Sequence, residues 1–144
     1  MTKPTVIVRP ASRDDMPGIW EVRYSVVENT LVPGRISNDE LQRSLETDGR
    51  GWVADDGGRI LGFAIGLNTG NLWALFVRPQ AQGRGIGARL HAELLAWFAR
   101  QPLQKLWLST GADTRARRFY EAKGWQYVGP HGDDEVRLER PNVT

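Results

Sequence analysis

The chain has 144 residues, a formal net charge of +2, 40% hydrophobic and 25% charged residues, and no cysteine. That is apolar content for one domain with a single core, and it excludes a disulfide framework, a zinc–thiolate site and a thiol nucleophile. No apolar run approaches twenty residues and the N-terminus lacks a charged-then-apolar leader, so the expectation is a cytoplasmic protein without a membrane partner. Sixteen of the nineteen cations are arginine. They are scattered among acids, so a sequence pI near 9.3 does not predict a nucleic-acid partner, which needs clustered cations.

Residues 5–8 have strand character. Ser12-x-x-Asp15 then has the spacing of a capping box and opens a helix whose apolar set is Met16, Ile19, Trp20, Val26 and Val27. Pro17 falls early in that helix, where a missing donor is tolerated. Pro33-Gly34 signals a turn, and Ser37-x-x-Glu40 is a second capping box before a short helix through Leu41 and Leu45. Residues 51–65 read as a hairpin turning at Asp56-Gly57 or Gly57-Gly58.

Leu72 to Val77 (LWALFV) has the length and the aromatic and branched content of a buried strand, and Pro79 ends it. Beyond a polar loop, Ile86, Leu90, Leu94, Leu95 and Phe98 recur at helical spacing. Between strand and helix, Gln82-Gly83-Arg84-Gly85-Ile86-Gly87-Ala88 leaves the backbone unshielded where unpaired N–H groups and the positive end of the helix dipole meet, a place for phosphate. Strand Lys105 to Ser109, a helix ending near Lys123-Gly124, and strands around residues 126–128 and 135–138 follow. Periodicity alone gives an α/β protein with one domain, here residues 5–144, and no internal repeat or linker.

Three kinds of glycine-rich turn fit the loop. A P-loop needs Gly-Lys-Ser/Thr, and no lysine occurs between Lys3 and Lys105. A dinucleotide fingerprint wants an acid about twenty residues on, and Lys105 to Thr110 has none. What remains is Gln82-x-x-Gly85-x-Gly87, which resembles the acyl-CoA pyrophosphate loop of the GNAT superfamily of N-acetyltransferases. Downstream, Asp113-Thr-Arg-Ala116-Arg-Arg-Phe119-Tyr120-Glu-Ala-Lys-Gly124-Trp125 is similar to the family's second signature, with Asp113 where asparagine is usual and Trp125 where phenylalanine is usual.

The resemblance implies the order βααβββαβαββ, with a mixed, largely antiparallel sheet in which two neighbouring parallel strands splay apart around the pantetheine arm. Carried onto this chain, the arm pairs with the main chain near Phe76 and Val77. The pyrophosphate rests on Gln82, Gly83, Arg84, Gly85, Ile86, Gly87 and Ala88, and Asp113 lies near the cofactor. Arg115, Arg117, Arg118 and Lys123 read either as a solvated helix face or as attraction for the 3′-phosphate.

The implied activity is transfer of acetyl from acetyl-CoA, as acyl-donor cosubstrate, to a primary amine of a small molecule or protein terminus. A lysine-like amine has a pKa near 10.4, so at pH 7 only about one in 2,500 is the free base that attacks a thioester. A group must take that proton, and the departing thiolate wants one. Tyr120 is the candidate acid. No acid lies on residues 71–77, so the base comes from elsewhere: Glu28, which the resemblance places with Asn29 on the acceptor side, or Glu135. Trp73 reads as a core residue or as an acceptor-facing aromatic. His91 reads as structural, and His131 as solvated in a turn. The alternative to an enzyme is a non-catalytic acyl-CoA sensor or interaction module, and the sequence leaves the oligomeric state, a homodimer included, unspecified.

Overall fold

The computed structural model describes residues 6–26 and 35–142. The elements in order are β1 (Val6–Pro10), α1 (Met16–Ser25), α2 (Asn38–Glu46), β2 (Gly49–Asp56), β3 (Arg59–Leu67), β4 (Leu72–Val77), α3 (Ile86–Ala99), β5 (Lys105–Gly111), α4 (Arg115–Ala122), β6 (Gln126–His131) and β7 (Glu135–Pro141), with short 3-10 turns before α1 and α3. This is the order βααβββαβαββ.

Local chemistry sets the boundaries. At α2 the capping box closes in both directions: the Ser37 hydroxyl accepts from Glu40 N–H at 3.1 Å, and the Glu40 carboxylate accepts from Ser37 N–H at 3.3 Å. Before α1, the Asp15 carboxylate accepts from Ser12 N–H at 2.8 Å and pairs with Arg9. Its guanidinium holds the Asp15 carboxyl below the usual range. The β2–β3 hairpin turns on Gly57 and Gly58, both at positive φ, as a two-residue primed turn requires. His131 ends strand β6 rather than lying in a turn, because its backbone pairs opposite Glu135.

Two antiparallel sheets result, ordered β1-β2-β3-β4 and β5-β7-β6. They meet at β4 and β5, which are parallel neighbours joined by one bridge, Asn71 opposite Trp107. Strand β3 is buried on both faces. Ile60, Phe63 and Ile65 pack toward α1 and α2, and Leu61 and Ala64 toward α3, because a register break at Leu61 shifts the strand's alternation. Gly62 and Gly66 sit under α3, where a Cβ would come within 3.2 Å of Leu90 and 2.7 Å of Leu94. Their lack of a side chain lets α3 lie close on the sheet. That approach fixes the position of the α3 N-terminus against the end of β4.

Candidate active site

The β4 strand is irregular where the site forms. Its register with β3 skips a residue, Ile65 facing Ala74 and Gly66 facing Leu72, so Trp73 is the extra residue of a bulge. A bulge increases local twist and bends the strand. Just before it, Trp107 N–H donates to Gly70 C=O at 3.0 Å and the Asn71 side-chain amide donates to Trp107 C=O at 3.2 Å. Beyond that clasp the two strands share no pair, and the edge of β4 facing β5 is open.

A cavity of about 520 Å³ fills the opening. Phe76 and Val77 of β4 line it, with Gln82, Gly83, Gly85, Ile86, Gly87 and Ala88 at the α3 N-terminus, and Thr114, Arg115, Phe119 and Tyr120 from the α4 side. Gly83 and Gly85 have φ of 82° and 79°, and Gly85 is the N-cap of α3. A Cβ at either would meet no atom within 4 Å, so the requirement for glycine is the left-handed backbone and not crowding. The Gln82 amide donates to Val77 C=O at 3.4 Å, and its oxygen accepts from Arg115, which ties the loop to both β4 and α4.

Tyr120 is buried, with its ring against Phe119, Trp125 and His91. Burial pushes its phenol above the ordinary value, so it stays protonated. No hydrogen bond to its hydroxyl occurs among the described residues, and no fully buried side-chain polar atom there lacks a partner, so the hydroxyl opens to the cavity it lines. Behind it, His91 accepts from Trp125 Nε1–H at 3.0 Å. Burial first, then Arg140 and Lys123, lower its pKa to about 4. His91 is therefore neutral at pH 7 and structural, as its place on the helix indicated.

A second cavity, of about 700 Å³, lies on the α1–α2 side of the splay. Trp20, Phe63, Trp73 and Phe76 give it aromatic walls, and Arg23 and Arg35 line it. Ser109 and residues 131–135 close it from the second sheet. Among the described residues, Phe76 borders both cavities.

Sequence-predicted residues divide accordingly. Tyr120, the loop glycines, Gln82, Phe76 and Val77 come together in the first cavity, while Trp73 and Glu135 line the second. Arg84 and Asp113 line neither. The Asp113 carboxylate is exposed and pairs with Arg118 at 3.5 Å, and Thr114 caps α4 by accepting from Arg117 N–H. Glu28 and Asn29 lie outside the described residues. Trp20 and Arg23 went unread as site residues: Trp20 was placed in the apolar set of α1, and both line the second cavity beside Ile19.

Residues 14–125 match the Acetyltransferase (GNAT) family. The chain belongs to that family. It is 26% identical over 138 residues to the peptidyl-lysine N-acetyltransferase YiaC of Escherichia coli K12, covering 92% of this chain and 91% of that protein. Among solved structures, the PaiA N-acetyltransferase of Thermoplasma acidophilum in complex with coenzyme A is similar at a TM-score of 0.80 and 18% identity, covering 95% of this chain and 99% of that one. The ribosomal-protein-S18-alanine N-acetyltransferase of Escherichia coli is similar at a TM-score of 0.78 and 18% identity, over 97% and 96%. The GNAT fold expected from the two motifs is the fold observed. No described helix is long and apolar enough to cross a membrane.

Proposed function

We propose that the protein is an acetyl-CoA-dependent N-acetyltransferase acting on a primary amine, with acetyl-CoA held in the first cavity and the amine entering from the second. The observation that carries this reading is the placement of the Tyr120 hydroxyl in a cavity that begins at the α3 N-terminus and ends at Phe76, where the second cavity starts. The amides of the first turn of α3 and the helix dipole supply the pyrophosphate site. The open edge of β4 supplies donors and acceptors for the pantetheine amides. CoA bound to the Thermoplasma relative supports the assignment of the cofactor.

The amine nitrogen attacks the thioester carbon, the N–C bond forms and the C–S bond breaks. The amine proton passes to a carboxylate or to water, and the thiolate receives one from Tyr120. A phenol's ordinary pKa of about 10 already lies above a thiol's 8.5 and burial widens the gap, so Tyr120 acts by a hydrogen bond to the leaving sulfur that strengthens as charge develops there, and any proton it gives is replaced by the one the amine has lost. Glu135 lines the acceptor cavity and is our candidate base within the described residues. Glu28 is retained from the sequence as the other candidate, and Asn29 as its neighbour on the acceptor side.

Calorimetry with acetyl-CoA, NAD and ATP, followed by a CoA-release assay over an amine panel, tests the proposal. Acetyl-CoA binding with amine-dependent CoA release is expected. Comparable affinity for NAD or ATP would overturn it.

A further inference from the structure

The second cavity is electrically divided, and the division bears on which amine enters it. Arg23 comes from α1 on one side, with its guanidinium carbon 4.2 Å from the centroid of Phe76, the ring at the junction of the two cavities. Its cation is half-buried, and desolvation lowers its pKa from the ordinary arginine value. Arg35 lines the cavity as well. On the opposite side, the β6–β7 turn brings Asp133, Asp134 and Glu135 to the cavity. Their carboxylates make no ion pair among the described residues, and no group of acidic, histidine or cysteine side chains there could hold a metal. Trp20, Trp73, Phe63 and Phe76 form the apolar walls between.

We infer that the acceptor is a zwitterionic amino acid with a flat apolar side chain, its carboxylate held by Arg23 and its ammonium drawn toward the acidic turn. This inference deepens the acetyltransferase reading and rests on it. Arginine presents five N–H donors in a planar fork, so it can take a carboxylate through two parallel bonds while its other donors stay engaged. Stacked on Phe76, the fork is held near the acyl group's end of the cavity. An α-amino acid carries its amine one carbon from its carboxylate, so a carboxylate docked there leaves the amine beside the thioester. A lysine side chain within a protein, a polyamine or a peptide N-terminus has no carboxylate at that spacing. The four aromatic walls fit a ring or branched apolar side chain, and the acids opposite favour the ammonium until it is deprotonated.

The test uses the unmodified protein with three acceptors that share one aromatic body: L-phenylalanine, L-phenylalaninamide and 2-phenylethylamine, with spermidine and a lysine peptide as outsiders. Expected is a kcat/KM for L-phenylalanine about ten-fold to one-hundred-fold above that for its amide, the range of one charge-assisted bidentate contact. Arg23→Gln should erase that difference, Arg23→Lys should restore part of it, and acetyl-CoA affinity by calorimetry should be unchanged in both. An amide used as well as the acid, or preference for spermidine or the peptide, overturns the inference. So does acetyl-CoA binding without turnover of any acceptor. Failure to bind acetyl-CoA overturns the acetyltransferase reading itself.

Discussion

Tyr120 is gripped by rings and left open at its hydroxyl, and that asymmetry makes it separable into a packing part and a chemical part. Phe119, His91 and Trp125 contact the ring, with centroids 5.4 to 6.4 Å away. Tyr120→Phe keeps every one of those contacts. Turnover should fall by about 10² to 10⁴, the range for a positioned general acid, while the affinity for acetyl-CoA stays within a few-fold. Steady-state CoA release and calorimetry measure the two separately. Preserved turnover would make Tyr120 a packing residue and return the acyl-CoA sensor to consideration. The tyrosine could be singled out in the sequence because its motif resembles the family's second signature; helical spacing by itself reads it as a packing residue. Asp113 was placed near the cofactor by the resemblance alone, and the structure instead turns its carboxylate to solvent beside Arg118. Arg23 could not be placed from the sequence: only the arrival of a sheet from the other end of the chain turns its side of α1 into a cavity wall.

At the scale of elements, the site is a strand that leaves its neighbour and a helix that starts where the strand ends. Gly87 of α3 has room for a side chain, since a Cβ there would lie 3.8 Å from Val77 and 3.9 Å from Phe119. A carboxylate at the first turn also suits the helix dipole by about 0.3–1 kcal/mol. Gly87→Glu should therefore keep or slightly raise the melting temperature and yet abolish CoA binding, because the charge occupies the phosphate's place. Retained CoA affinity in that variant would remove the pyrophosphate from the α3 N-terminus. The strand half of the site depends on the clasp before the bulge. Asn71 is buried, and its amide holds the Trp107 carbonyl across the gap. Asn71→Ala should cost about 1–3 kcal/mol of stability and raise the KM for acetyl-CoA more than the KM for the amine. Denaturant melts and a two-substrate kinetic series would check both, and equal changes in the two KM values would count against the clasp. The LWALFV strand was visible as an apolar run, and the splay followed from the family resemblance. The bulge at Trp73 was hidden, since period-two patterning cannot register one residue that breaks the alternation.

Across the whole molecule, a hydrogen bond ties the long helix to the residue that ends the second motif. His91 of α3 accepts from Trp125, thirty-four positions along the chain, and both side chains are buried. Sequence reasoning read His91 as structural but could not pair it with Trp125, because the pairing exists only after α4 has packed against α3. It also makes the fold depend on the neutral state of His91, for an imidazolium has no lone pair to accept with. Arg140 and Lys123 add repulsion to the cost of burying a charge, and the folded-state pKa falls to about 4 from an ordinary 6.5. The folded pKa is depressed, so the unfolded chain binds more protons between those values. Stability is complete above pH 6.5 and is lost as pH falls toward 4. From these two values the loss at pH 5 is about 2 kcal/mol. Asp15 and Glu46, held below their ordinary values by Arg9 and Arg13, add their own losses only at lower pH. Urea unfolding at pH 7.5, 6 and 5 should show the midpoint falling in the native protein. His91→Gln keeps an acceptor but cannot titrate, and its midpoint should be far flatter over the same range. Parallel pH profiles for the two proteins would mean that His91 is not the group that links acid to unfolding.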